Sequence, residues 1–263
     1  MRWLRSLLAH PLTKGLDLDD ARTTALRQQI IRSKGFLACV YAEWGRTIAA
    51  QVPAGPGCVL ELGSGGGNLR DFIPGLLTSD VLELPHLDVV ATGEALPFST
   101  ASLKAIVMTN VFHHVPDVRA MLREAARVTR AGGRVVMIEP WNTPWSRLVY
   151  RHLHHEPFDP AAREWALARG AGPLSAANGA LPWIVFARDR GRLAESFPEW
   201  RIASLSPFMP LSYVLSGGVS LSVQFPPVTY AFMRRAEEAL PQRLFAMFAA
   251  IVLERARDKI CSA

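Results

Sequence analysis

Val59-Leu60-Glu61-Leu62-Gly63-Ser64-Gly65-Gly66-Gly67-Asn68 is the stretch that decides the fold of this 263-residue chain. A short apolar run passes straight into a cluster of glycines, which reads as a buried strand ending in a tight loop. Glycines at 63, 65 and 67 let the backbone turn sharply and let a ligand approach without meeting a Cβ. The spacing is not that of a G-x-G-x-x-G loop, and an acid, Glu61, leads it. A pyrophosphate is repelled by that carboxylate, whereas an ammonium or a sulfonium is attracted. A nucleotide-like ligand with a cationic end is therefore expected across the carboxyl end of the first strand.

Outward from this loop, short apolar runs alternate with helical stretches up to about residue 140. The runs are 59–62, 76–84, 89–91, 105–112 and 134–138, and a helix over 118–129 carries Val118, Met121, Leu122, Ala125 and Val128 on one face. Strands alternating with helices predict a doubly wound, mostly parallel α/β sheet. Arg130-Ala131-Gly132-Gly133 is expected to end that helix, as glycines past a C-terminus do. Residues 19–50 have helical spacing, and Val52-Pro53-Ala54-Gly55-Pro56-Gly57 breaks it, so 1–56 reads as a helical N-terminal extension and 57–263 as the main domain. Two insertions are expected, at about 141–182, irregular and rich in Trp, His and Pro, and at about 209–240. Within the second, Met209 to Met233 contains no charged residue. Between them, 184–197 reads as a helix and 200–208 as a strand, and 244–253 is a last apolar run.

With these pieces in order, the chain resembles class I S-adenosylmethionine-dependent methyltransferases, in the branch of ubiquinone/menaquinone methyltransferase-like, type 11 proteins. The resemblance covers about 57–140 and implies a seven-stranded, Rossmann-like sheet with an antiparallel last strand. It implies that Glu61, Gly63, Ser64, Gly65 and Gly67 cradle the methionine part of S-adenosyl-L-methionine. Asp80 falls where the family's ribose-binding acid stands, and a carboxylate can accept two bonds from a diol. Glu94-Ala95-Leu96-Pro97-Phe98 resembles the loop along the adenine, and Val107 to Asp117, with Asn110, resembles the strand-four end where methyl faces acceptor. Thr92 stands where relatives carry an acid for the adenine amino group, with Glu94 as its substitute. Lys104 replaces a usual aspartate and is expected at the sheet's N-terminal rim.

Four histidines are candidates for catalysis. His113 and His114 follow strand four, where a residue titrating near neutrality can take a proton. In the first insertion, His154 and His155 lie beside Glu156 and Asp159, all of ligand type. Adjacent histidines on a helix point apart, so no shared metal is expected there, and a base or substrate-binding role stands against a structural one. Trp141, Trp145 and Trp183 either line an apolar acceptor pocket or pack the insertion onto the sheet. Arg2, Arg5, Arg234, Arg235 and Arg243 suit an anionic lipid surface or a solvated face.

Composition bounds these readings. Apolar residues make up 49% and charged residues 20% of the chain, which excludes wholesale disorder. Its net charge of +6 permits an anionic partner without requiring one. The three cysteines, Cys39, Cys58 and Cys261, are far apart, so neither a disulfide framework nor a zinc site is indicated. Met1 to Leu8 is too short an apolar run for a secretion signal, and a cytoplasmic setting is expected, with peripheral membrane contact left open. No basic-aromatic stripe suggests nucleic acid. The expected function is methyl transfer to a small, apolar or amphiphilic acceptor. The alternatives are a cofactor-binding module without turnover and, third, a glycine-loop dehydrogenase.

Overall fold

The computed structural model describes residues 19–65, 69–154, 156–167, 172, 175–222 and 224–257. Seven strands form one sheet in the order β3-β2-β1-β4-β5-β7-β6. They are β1 (Cys58–Leu62), β2 (Leu76–Asp80), β3 (Val89–Val90), β4 (Leu103–Thr109), β5 (Thr129–Pro140), β6 (Trp200–Phe208) and β7 (Phe248–Arg255). The first five pair in parallel, and β7 runs antiparallel between β5 and β6. The seven-stranded, mostly parallel sheet expected from the loop is thus the sheet that forms.

β1 and β4 sit side by side at its centre although they are not consecutive. Their connections leave in opposite directions along the sheet, so a crevice opens at their carboxyl ends. Central position explains their composition: Ala105, Ile106, Val107 and Met108 are all fully buried, as a strand covered on both faces requires. On one face, α3 (Val118–Val128) packs Met121, Leu122 and Ala125 with Leu60, Ile106 and Met108. Asp117 starts that helix by accepting from the N–H groups of Arg119 and Ala120 at 2.8 and 3.1 Å. The other face is covered by α2 (Gly35–Ala49), whose Phe36, Val40, Trp44 and Ile48 pack with Val59, Val107 and Val136. Ahead of it, α1 (Ala21–Ser33) starts on an Asp20 cap.

Two expectations need correction. The helix α3 ends at Val128, before Gly132-Gly133. Thr129 is already extended, and the glycines form an irregularity inside β5, where the register against β4 shifts and Gly132 takes φ +73°. Residues 141–182 are also not irregular throughout. The helix α4 (Pro144–Leu153) begins there with a Thr143–Ser146 capping box and proline in its first turn. Lys104 does lie at the amino end of β4, where its ammonium donates to the Gly55 carbonyl at 2.9 Å. After the sixth strand, Ser212–Leu215 forms one helical turn, and Tyr230–Glu238 forms a longer helix, α5. No helix among the described residues is long and apolar enough to cross a membrane.

Candidate active site

A cavity of about 550 Å³ occupies the crevice at the carboxyl ends of β1 and β4, a size typical of small-molecule sites. Its floor is the loop after β1. Gly63 takes φ +64° and Gly65 φ +46°, a left-handed conformation that glycine adopts without steric cost. Asp80, at the end of β2, pins this loop: its Oδ2 accepts from the Gly65 N–H at 3.0 Å and its Oδ1 from the Leu82 N–H at 3.1 Å. Ser64 ties the loop to β2 by exchanging backbone and side-chain bonds with Ser79.

Glu61 is only 4% exposed. Burial pushes its carboxyl up to about 8. Its Oε2 is buried without a hydrogen-bond partner, as are Trp44 Nε1, Thr109 Oγ1 and Asn110 Oδ1. All four residues line the cavity. Orphaned polar atoms around one cavity are costly unless a ligand meets them. Asn110 holds its position with φ +56°, a conformation asparagine tolerates better than most residues.

Thr92, Gly93 and Glu94 line the next part of the wall, and Glu94 Oε1 accepts from the Asp117 N–H at 3.3 Å. Ala95 does not line the cavity; its N–H closes the turn onto the Thr92 carbonyl at 3.2 Å. Gly67 lies outside the described residues, and so does His155.

Farther along, the turn Phe112–His114 after β4 presents two imidazoles. The ring nitrogen Nδ1 of His113 donates to Glu139 Oε2 at 2.7 Å, and its Nε2 faces Glu156 Oε2 at 3.3 Å. The other oxygen of Glu139 accepts from the N–H groups of Val111 and Phe112 at 2.7 and 2.8 Å. Burial alone would lower the His113 pKa, but the bonds and charges of the two carboxylates outweigh it and raise it to about 10. His114 donates from Nδ1 to the Ala176 carbonyl at 2.9 Å and turns Nε2 to within 3.7 Å of Glu156 Oε1. Burial, together with the His113 charge, lowers its pKa to about 4. Against its own burial, Glu156 is held well below the usual carboxylate range by the His113 hydrogen bond and the imidazole charges around it. His154 Nδ1 stands 3.7 Å from Glu156 Oε2. Thus His113, His114 and His154, read separately in the sequence, converge on one glutamate.

Over the cavity lie residues from both the N-terminal helices and the second insertion. Thr24, Arg27, Tyr41 and Trp44 line it, and so do Tyr213, Val214 and Gly217 to Leu221. Trp44 and Tyr213 stack at 5.6 Å between ring centroids. The uncharged segment is anchored by a buried charge: Glu237 accepts from the backbone of Leu211 and Ser212 and from the Ser212 hydroxyl, and it pairs with Arg234, which also pairs with Glu43. Arg234 is accordingly not available to an external anion. Arg2 and Arg5 fall outside the described residues.

Trp141, Trp145 and Trp183 do not line the cavity. Trp141 and Trp183 pack in the core, and Trp145 donates its indole N–H to the Pro210 carbonyl. The tryptophan of the site is Trp44. Its position in the middle of an evenly apolar helix offered no signal separating it from a core residue. Glu139 was missed too, although a lone acid at the end of an apolar strand run is a signal that finds it.

The sheet order and the glycine-loop crevice define a class I methyltransferase fold. Within it, residues 60–137 match the model of the type 11 methyltransferase domain family. A demethylmenaquinone methyltransferase of Streptomyces griseus is 30% identical over 137 residues, covering 46% of this chain and 60% of that protein. One from Beutenbergia cavernae is 33% identical over 119 residues, covering 39% and 49%. The chain thus spans less than two thirds of the length of these relatives. Among solved structures, a geranyl diphosphate C-methyltransferase of Streptomyces coelicolor superposes with TM-score 0.52 at 12% identity, covering 95% of this chain and 89% of that one. An S-adenosylmethionine-dependent methyltransferase of Thermotoga maritima, described as a possible histamine N-methyltransferase, superposes with TM-score 0.52 at 14% identity, covering 88% and 98%. At these identities the structural likeness is one of fold.

Proposed function

We propose that this chain transfers a methyl group from S-adenosyl-L-methionine to a small apolar or amphiphilic acceptor held beneath the cap formed by α1, α2 and the uncharged segment. The observation that carries this reading is the single cavity joining the orphaned carboxyl of Glu61 to the His113–His114–Glu156 cluster. The residues present fit the cofactor. Glu61 offers an unpaired oxygen to an ammonium, and the loop at Gly63 to Gly65 leaves backbone room beside it. Asp80 keeps one lone pair on each oxygen for a ribose diol. Thr92, Gly93 and Glu94 lie where an adenine would run, and Asn110 stands between the two ends.

When bound, the cofactor supplies a methyl group already activated by its sulfonium, so the protein's task is positioning and exclusion of water. Trp44, Tyr213 and Phe248 wall off solvent. His114, through its Nε2, and His154 are the groups to take the acceptor's proton, and His113, with both ring nitrogens bonded to carboxylates, is the group that orients. Support for an apolar acceptor comes from the uncharged segment 209–233 of the cap and from the quinone named in two relatives. The cap also leaves Phe225, Val228 and Phe232 exposed, which suits an acceptor drawn from a lipid surface. A module without turnover would need only the cofactor half of the cavity.

Calorimetry with S-adenosylmethionine, S-adenosylhomocysteine and a nicotinamide dinucleotide tests the reading. Binding of the first two is expected; binding of the dinucleotide alone overturns it. Incubating the protein and methyl-labelled cofactor with lipid and polar extracts then shows whether label enters the lipid fraction, as expected, or the polar one.

A further inference from the structure

Beyond methyl transfer itself, the geometry points to a binding site for a divalent transition-metal cation formed by His113 Nε2, His114 Nε2 and the Glu156 carboxylate. These three residues each present one ligand atom, and the atoms all lie within 4.8 Å of one another. One ion with bonds of about 2.0–2.2 Å to nitrogen and oxygen spans such a gap with small side-chain adjustments.

The surroundings are those of a ligand set held for an ion. Each imidazole has its Nδ1–H committed elsewhere, His113 to Glu139 and His114 to the Ala176 carbonyl. That leaves both Nε2 atoms turned toward Glu156. Glu139 is itself fixed by two backbone N–H groups, so a carboxylate–imidazole pair stands behind the first ligand, the arrangement that orients metal-bound histidines. Glu139 is fully buried and His113 is 2% exposed.

Two nitrogens and a carboxylate suit Zn²⁺, Co²⁺, Mn²⁺ or Fe²⁺ better than Mg²⁺, which prefers oxygen throughout. Since all three ligands line the cavity, the ion's remaining positions face the acceptor. There it would bind an acceptor oxygen or nitrogen and ease its deprotonation. This last role rests on the proposed methyl transfer; the site does not.

The test uses the full chain without an affinity tag, stripped with a chelator, in the absence of cofactor and acceptor. Zn²⁺ is titrated by calorimetry and Co²⁺ by its visible absorption. One ion per chain is expected, with no comparable heat from Mg²⁺. His114→Ala and Glu156→Gln should weaken binding more than tenfold, and Glu139→Gln by about 10–100-fold, with circular dichroism checking that each variant folds. Absence of stoichiometric binding by the parent chain, or unchanged binding by folded His114→Ala and Glu156→Gln, overturns the site. S-adenosylmethionine binding is measured on the same stripped protein. Lost metal binding with cofactor binding intact removes only the metal site, and the reverse removes only the methyl-transfer reading.

Discussion

The ammonium of Lys34 donates to the carbonyl of Gly218 at 2.7 Å and so ties the joint between α1 and α2 to the uncharged segment over the cavity. A second bond, to the Leu221 carbonyl at 2.8 Å, completes the clamp. Burial lowers the Lys34 pKa to about 8, the mark of a cation taken out of water to make these bonds. Replacing Lys34 with Met leaves two carbonyls without their donor while removing a buried charge. The two effects oppose each other in global stability. Locally they do not, because among the described residues no other hydrogen bond is donated to these carbonyls, and only the packing of Val219 on Ile30 and Ile31 remains. Hydrogen exchange at 217–221 should speed up at least tenfold in Lys34→Met while the core strands keep their protection. Unchanged exchange in the cap would show that the clamp does not hold it.

Glu61 gives a pH signature with a definite sign. Its carboxyl titrates near 8 in the folded chain, against an ordinary value of 4.5. Between those values the folded state keeps a proton that the unfolded chain has released, so this group's contribution to stability falls as pH rises from 4.5 to 8. Glu61→Gln, which cannot ionise, should abolish that slope. Without cofactor it should be the more stable protein at pH 8 by up to a few kcal/mol. The same variant should bind S-adenosylmethionine at least tenfold more weakly. Urea midpoints at pH 5, 6.5 and 8 decide the first point, and parallel slopes for the two proteins would falsify it.

Much of the framework was legible because it rests on local pattern. The glycine loop, the alternation of strands and helices and the apolar face of α3 are short-range features, and each lies where its spacing placed it. The helix α4 was hidden inside a stretch read as irregular for its Trp, His and Pro; Thr143 followed by proline and, three residues on, by Ser146 was in fact a start signal. In the cavity, the glycine loop and the histidines were legible one by one, but not their meeting. Glu139, Glu156, Arg27 and Trp44 come together from four elements, and no periodicity reports a contact of that range. Asp80 shows the same limit: its position at the end of β2 was plain, but its grip on the Gly65 N–H appears only once the loop is folded.

The two glycines of the loop should differ in what they tolerate. A Cβ on Gly63 would stand 2.4 Å from Val111 Cγ2, whereas among the described residues one on Gly65 would meet nothing nearer than 3.6 Å. Both have positive φ, so alanine at either position carries about 1–2 kcal/mol of backbone strain. Gly63→Ala adds overpacking and should lose about 2–4 kcal/mol in total. Gly65→Ala should lose only the backbone part. Combining Gly63→Ala with Val111→Ala should recover some of the loss, more than adding the single effects allows. Chemical denaturation of the parent, the three single variants and the double variant measures this, and equal losses for the two glycine variants would contradict the steric account.

The cap carries the last prediction. Val228, on the turn leading into α5, is 88% exposed, and Phe232, four positions on and inside α5, is 72% exposed. Arg235, also exposed, follows Phe232 by three residues and lies on the same helix face. Apolar side chains flanked by a free cation are what an anionic bilayer surface binds, through burial worth about 25 cal/mol per Å² and attraction to charged headgroups. Arg234 adds nothing, since Glu43 and Glu237 neutralise it. Sedimentation with vesicles containing phosphatidylglycerol should therefore pull down the protein, more at low salt than at high. Val228→Asp with Phe232→Asp should abolish the effect without changing S-adenosylmethionine binding, because neither residue lines the cavity. If the parent chain stays in the supernatant at low salt, these side chains are not a lipid contact, and the acceptor must reach the site through water.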